Sequence, residues 1–211
     1  MTEKEKFEAL YRALKDEINE LEKQFIEAFI PADPNVGPDQ YGHLVKAYCI
    51  LCHAAFEEYF EELAFEVMNL TIKHWFNKTN KVKSTETLIT LVCYYGLKLE
   101  IDDNDSQPDL VFDYLRNLFK EAQQKFSKYT KVENHGISIK YLKKLLLPVA
   151  IDIKRDAILL NSLQQLASER GAYAHKRVSQ KILTPDDAKN IVEDCLKLCE
   201  DVKEKAIAQF Q

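Results

Sequence analysis

The sequence predicts an all-α fold, a helical bundle with long helices at its N- and C-terminal ends, on three observations. Only five glycines and six prolines interrupt 211 residues, too few turn-formers for a fold of many short strands. Apolar residues recur at spacings of three and four through most of the chain, the period of one helix face. A hydrophobic fraction of 46% and a charged fraction of 30% are ordinary for a globular domain, and the length is enough for a sizeable core. With no internal repeat and no linker-like stretch, residues 1–211 read as a single domain.

The first predicted helix covers residues 3–30. Phe7, Tyr11, Leu14, Ile18, Leu21, Phe25 and Ala28 form a heptad seam between charged positions. That stripe serves either a helix packed in its own bundle or a dimer seam, the former being the commoner use. Pro31, Pro34, Gly37 and Pro38 then force a loop. A second long helix follows over residues 41–75, with Leu44, Ala47, Tyr48, Leu51, Ala55, Tyr59, Leu63 and Val67 on one stripe. Glu57, Glu58, Glu61, Glu62 and Glu66 on its flank read as a solvated face.

Residues 77–83 are a polar break, and Ser84 is placed to cap a helix over 87–95. The β-branched content of that run also admits a strand, but no partner strand is recognisable. Residues 99–108 form an acidic loop. Pro108 suits the first turn of a helix over 109–129, with Val111, Leu115, Leu118, Phe119, Ala122 and Phe126 inward. After a break at 131–136, Ser138 is expected to cap a short helix over 139–147 that Pro148 ends. Residues 157–174 form the next helix, with Leu159, Leu160, Leu163, Leu166 and Ala167 inward. Thr184-Pro185-Asp186-Asp187 combines a capping hydroxyl, proline at the first helical position and acids in the first turn. The last helix runs from there almost to the end, with Ile191, Cys195, Leu198, Val202 and Ile207 inward.

Some functions are made improbable at this level. Apolar runs such as Leu145-Leu146-Leu147 are far too short to cross a membrane, and the N-terminus has no apolar signal core. A cytoplasmic protein is expected. Five cysteines, an odd number, then read as reduced thiols. Cys49-x2-Cys52 and Cys195-x3-Cys199 lie inside helical stretches, where cysteines are commonly small core residues, whereas structural zinc pairs sit on turns. Neither a metal nor any other cofactor is expected.

The chemistry concentrates near the C-terminal third. Between Ser138 and Lys181 nine lysines and arginines stand against three acids, a local charge of +6 in a chain of net −5. Such a basic island suits an anion, nucleic-acid phosphate among them. Within it, Ser168-Glu169-Arg170-Gly171-Ala172-Tyr173-Ala174-His175-Lys176-Arg177 crowds a histidine, arginines and a glycine together. Histidine titrates near neutrality and can move a proton; arginine is a permanent, forked cation that can stabilise charge on a phosphorane. Their spacing alone decides nothing, since chance gives about 0.4 such pairs in a chain with five of each.

The context is more specific. Asn134-His135-Gly136-Ile137, then Tyr141 to Leu146, Pro148 to Asp152, Leu163 to Leu166, and Glu169-Arg170-Gly171 with Ala174-His175 resemble the end of HEPN domains. The likeness is greatest to the RiboL-PSP type and covers about residues 134–175. Resemblance implies an antiparallel all-α bundle and a homodimer that brings two Arg-x4-6-His elements together. It also implies metal-independent RNase activity, often in toxin or phage-defence systems, and with it RNA and a cognate antitoxin or other protein as partners. Arg170 and His175 would be catalytic. Lys176 and Arg177 would hold phosphate, with Lys140, Lys143 and Lys144 if they face the same way; Tyr173 would stack on a base or, the commoner use, pack half-buried. One departure is Gly171, where many active HEPN nucleases carry a polar residue, although glycine is usual in the RiboL-PSP type. Gly171 and the acidic total charge favour the alternative, a non-catalytic helical module that binds a partner protein or nucleotide. Five helical positions turn about 500°, so Arg170 and His175 need a helix end or bend, or pairing across a dimer axis, to share a cleft.

Overall fold

The structure, a computed structural model, describes residues 1–77, 85–98, 111–175 and 183–211, with backbone only for 172–175. Among the described residues there are seven α-helices and no strand. Helix α1 spans Glu3–Phe25, α2 Pro38–Phe76, α3 Thr85–Tyr94, α4 Val111–Lys128, α5 Ile139–Leu146, α6 Ala157–His175 and α7 Pro185–Ala208.

Helices α1, α2, α6 and α7 form an antiparallel bundle, with directions fixed by pairs of side chains. His74 near the end of α2 meets Glu3 at the start of α1 at 3.0 Å. Lys189 at the start of α7 meets Glu22 near the end of α1 at 2.6 Å, while Phe7 stacks on Phe210 at the opposite end. Ser162 of α6 donates to Asp194 of α7 at 2.8 Å. Helices α3, α4 and α5 fall between α2 and α6 in sequence and pack around α2.

The α1 seam belongs to this bundle. Phe7, Leu14 and Ile18 are buried, and Tyr11 donates to the carbonyl of Leu196 on α7 at 3.4 Å. The stripe is used within the chain and is not a free dimer seam. Helix α1 opens on a capping box between Thr2 and Glu5, which satisfies two otherwise orphaned donors. It stops at Phe25, short of the expected residue 30, and a 3-10 turn at Glu27–Phe29 carries the chain to Pro31. Proline disfavours helical geometry in the residue before it.

Helix α2 begins at Pro38, three residues before the sequence expectation, with proline in its first turn, where the missing N–H costs nothing. At 39 residues it extends roughly 58 Å and touches all the other helices. Tyr48, Cys49, Cys52, Phe56, Phe60, Leu63, Val67 and Met68 are fully buried along it.

The β-branched run is helical. Thr90 Oγ1 bonds back to the carbonyl of Glu86 at 2.9 Å, and Leu88 and Leu91 are buried. Gly96 then stops α3 at φ +62°, with Leu97 N–H donating to Val92 and Gly96 N–H to Cys93. This is a Schellman stop, which glycine accommodates without strain. Helix α4 runs into a π-helical turn at Tyr129–Glu133. Ser138 holds the N-cap position of α5, yet its hydroxyl makes no capping bond; Thr184 caps α7 through Asp187 N–H, as expected. The proposed Ser84 cap, the loop at 99–108 and the Pro108 helix start lie outside the described residues.

Candidate functional site

Three segments converge on the last turns of α6. Leu159, Leu163 and Leu166 are buried, anchoring this helix between α2 and α7. That packing brings Arg170 to the middle of α2, where its charge acts on His53 and Glu57. Among the described residues no carboxylate stands within ion-pairing distance of Arg170. The guanidinium therefore lies near His53 and Glu57 with no salt bridge to a described residue.

His53, Glu57 and Glu61 form a single helical row, spaced by four. His53 is 3% exposed. Burial, then the nearby Arg170 charge, pushes its pKa down to about 4, so the imidazole is neutral at physiological pH. Its Nδ1 lies 3.7 Å from Glu57 Oε2, beyond hydrogen-bond range. Burial raises the pKa of Glu57, against the lowering effects of Arg170 and His135. Burial also raises that of Glu61, which Asn134 partly offsets.

The segment Asn134–Ile137 closes the site from the other side. Asn134 N–H donates to the Tyr129 carbonyl at 2.9 Å, ending the π turn. Its side-chain Nδ2 donates to Glu61 Oε1 at 2.6 Å, and its Oδ1 accepts from the Tyr129 hydroxyl at 3.4 Å. Gly136 has φ +149°, a conformation that suits glycine alone. A Cβ there would lie 3.6 Å from His53 Nε2 and 3.7 Å from Tyr141, so backbone conformation rather than space reserves the position. Ile137 is fully buried and pins the segment to the core.

On α5, Lys140, Lys143 and Lys144 project within an arc of about 100°. Lys140 and Lys143 are exposed, and Lys144 Nζ sits 5.6 Å above the Tyr129 ring, a cation–π contact. The three lysines thus share a face, on the side of the site built by Tyr129 and Asn134.

The remaining residues expected at the site are placed less fully. Helix α6 is helical from Ala157 to His175, where the described part of it ends. Positions 170 and 175 stand about 140° apart around the axis and roughly 7.5 Å apart along it. Gly171 is helical, and a Cβ on it would meet nothing within 4 Å among the described residues. Tyr173 and His175 are located by their backbone, and Lys176 and Arg177 lie outside the described residues.

Sequence reasoning missed His53, His135, Glu57 and Glu61, reading the glutamates as solvent-facing and assigning the histidines nothing. The available signal was the four-residue spacing of His53, Glu57 and Glu61 on one helix face. Both cysteine pairs behave as core residues, whereas Cys93 is exposed. Cys49, Cys52, Cys195 and Cys199 are buried, and burial pushes the Cys49 thiol up to about 12. Among the described residues no group of three His, Cys, Asp or Glu side chains is arranged to hold a metal ion.

An all-helical chain whose sixth helix ends in Arg-x4-His, backed by an Asn-x-Gly-Ile segment, has the features of a HEPN domain. The RiboL-PSP-HEPN family model matches residues 11–208, and the chain belongs to that family. No curated protein and no solved structure matches it. None of the helices among the described residues is long and apolar enough to cross a membrane.

Proposed function

We propose that this HEPN domain, residues 1–211 taken as one unit, is a metal-independent endoribonuclease. It acts as a homodimer with Arg170 and His175 of both chains in one cleft, as a cytoplasmic toxin or phage-defence effector. The observation that carries the reading is the setting of Arg170, held at the end of a packed helix beside neutral His53 and without a carboxylate in salt-bridge contact among the described residues. A guanidinium so placed keeps its donors available for phosphate. The unbroken α6 supports the dimer, because two positions about 140° apart on one helix share a cleft most readily across a symmetry axis.

A face for that second chain is available on α2. Ile50 and Leu51 are 38% and 40% exposed, and with exposed Ala54 they lie about 60° to 160° around the axis from His53. A partner seated there would lie next to the Arg170 site.

In the proposed reaction the 2′-hydroxyl oxygen attacks phosphorus and the bond to the 5′-oxygen breaks. A 2′,3′-cyclic phosphate and a 5′-hydroxyl result. His175 takes the 2′-hydroxyl proton, the leaving 5′-oxygen acquires one, and Arg170 stabilises the charged phosphorane oxygens. Lys176 and Arg177, with Lys140, Lys143 and Lys144, hold flanking phosphates, and Tyr173 stacks on a base.

The test is purified protein with mixed RNA in EDTA, beside His175→Ala and Arg170→Ala. Cleavage by the wild type, cyclic phosphate ends, intact DNA and loss of activity in both variants at unchanged helicity are expected. Full cleavage by His175→Ala would assign the activity to another site or a contaminant. No cleavage of any RNA, with binding to an antitoxin-like protein or a nucleotide lost in the same variants, would support a non-catalytic module; Gly171 after the arginine favours that reading.

A further inference from the structure

In the proposed reaction His175 takes the 2′-hydroxyl proton, but the leaving 5′-oxygen still needs one. An alkoxide is a poor leaving group, so a cut without metal calls for an acid at that atom. The segment between the π turn and α5 presents one in His135.

The neighbours of His135 hold it in place. Asn134 donates to Glu61 Oε1 at 2.6 Å. Gly136 lies against His53, the position of a Cβ on it being 3.6 Å from His53 Nε2. Glu61 and His53 stand about two turns apart on one row of α2. The segment therefore runs along that row, and His135 crosses it at the level of Glu57. Asn134 is extended, with φ −76° and ψ 136°, and side chains alternate along extended backbone. With Asn134 turned to α2, His135 turns outward. Asn134, Gly136 and Ile137 are buried while His135 is exposed, so its backbone is pinned and its ring is left uncovered. The histidine ion pairs among the described residues are those of His53 and His74, and His135 has none.

Arg170 comes to the same stretch of α2. It follows the buried Leu163 and Leu166 by seven and four residues, which puts it on the packed face of α6. Its neighbour Glu169 shares a cleft with Asp187 and Asn190 in the first turns of α7. Helices α2 and α7 both run antiparallel to α1, and the Tyr59 hydroxyl donates to the Cys199 carbonyl at 3.1 Å. Residues 187–190 are thus level with about residues 47–50 of α2, which sets Arg170 within about two helical turns of His53. The charges of Arg170 and His135 both act on Glu57, in keeping with this placement.

We propose that His135 is a second catalytic histidine, the general acid that protonates the leaving 5′-oxygen of an RNA whose phosphate Arg170 holds. Histidine gains and loses protons near neutral pH, and an exposed ring on a pinned segment can meet substrate without first breaking a contact. His175 takes the 2′-hydroxyl proton as the bond from the 2′-oxygen to phosphorus forms. The His135 imidazolium gives its proton to the 5′-oxygen as the bond from phosphorus to that atom breaks. Water then takes the proton from His175 and returns one to His135. The inference rests on the ribonuclease reading and assigns the one proton that the reading leaves without a donor.

RNA with sulfur in place of the bridging 5′-oxygen isolates this step, because a thiol is acidic enough to leave as the thiolate. His135→Ala should cut ordinary RNA with kcat lowered by about 10²–10⁴-fold and KM little changed, yet cut the 5′-thio RNA at close to the wild-type rate. His175→Ala should stay inactive on both. Thermal melts and light scattering check that each variant folds and assembles as the wild type does. Wild-type rates for His135→Ala on ordinary RNA, or the same loss on both substrates, would overturn the acid role and leave the ribonuclease reading in place. Rescue of His175→Ala instead would give the acid role to His175. No cleavage of either RNA by the wild type would overturn both.

Discussion

The side-chain amide of Asn134 donates to Glu61 Oε1 at 2.6 Å, joining residues 73 positions apart. This bond ties the segment after α4 to the middle of α2 and sets one wall of the Arg170 site. Asn134→Ala should cost about 1–3 kcal/mol, since it removes the donor from a partly buried carboxylate. Asn134→Asp should cost more at neutral pH because it sets two carboxylates together. Like-charge contact raises their folded pKa values above the unfolded ones, so this variant should recover stability as pH falls. Urea unfolding at pH 7.5 and pH 5 measures both effects; identical midpoint losses for the two variants at both pH values would remove this role for the bond.

His53 supplies a second pH dependence of opposite sign. Its pKa is about 4 in the fold against an ordinary 6.5, so the unfolded chain takes up a proton that the folded chain refuses. Its stabilising contribution is full above pH 6.5, declines as pH falls through that window and is gone below about pH 4. Glu57 and Glu61, with raised values, oppose this at the acidic end. His53→Gln should therefore lose less melting temperature than the wild type between pH 7 and pH 5. Equal losses would place the acid sensitivity elsewhere.

Gly171 sits inside helix α6, with no described residue within 4 Å of where its Cβ would project. Gly171→Ala should stabilise the chain by about 0.5–1 kcal/mol, raising the melting temperature by about 1–4 °C. A stabilised variant that no longer cleaves RNA would mean that substrate or a partner chain occupies that space. A destabilised one would contradict the open surroundings.

The exposed stripe on α2 makes the assembly testable. Light scattering of the wild type should give about twice 24.5 kDa. Leu51→Glu should give the monomer mass at unchanged helicity, because it sets a charge into the proposed interface. Tyr11 lies on the α1 seam that the bundle already uses, and Tyr11→Ala should lower stability without shifting the mass. A wild type that is monomeric at about 10–50 μM would end the shared-cleft version of the proposal.

Much of the fold was legible because helix periodicity is local. Leu159, Leu163 and Leu166 announced the buried face of α6, and Thr184-Pro185 marked the start of α7 to the residue. The α1 seam was legible as a stripe but not in its destination, since an apolar row looks the same whether it meets its own chain or another. The site was half legible. Arg170 stood out within a basic island, but Glu57 gave no sign that it lies near an arginine about 110 residues away, because that proximity follows from how α2 and α6 cross.

The length of α2 has an evolutionary consequence. Its one rod carries His53, Glu57 and Glu61 at the site and, further along, the buried Leu63, Val67 and Met68. Inserting one residue between Cys52 and Phe56 would turn everything beyond it by about 100°. The two parts could then not both keep their faces: either Glu57, Leu63 and Val67 would turn away together, or Tyr48 and Cys49 before the insertion would leave the core. Changes of length in this helix should therefore be tolerated only in steps near seven residues, two turns, whereas point substitutions on its open face meet no such constraint. Relatives that keep the Arg170 site should show that helix ungapped between these positions, however far their sequences have drifted.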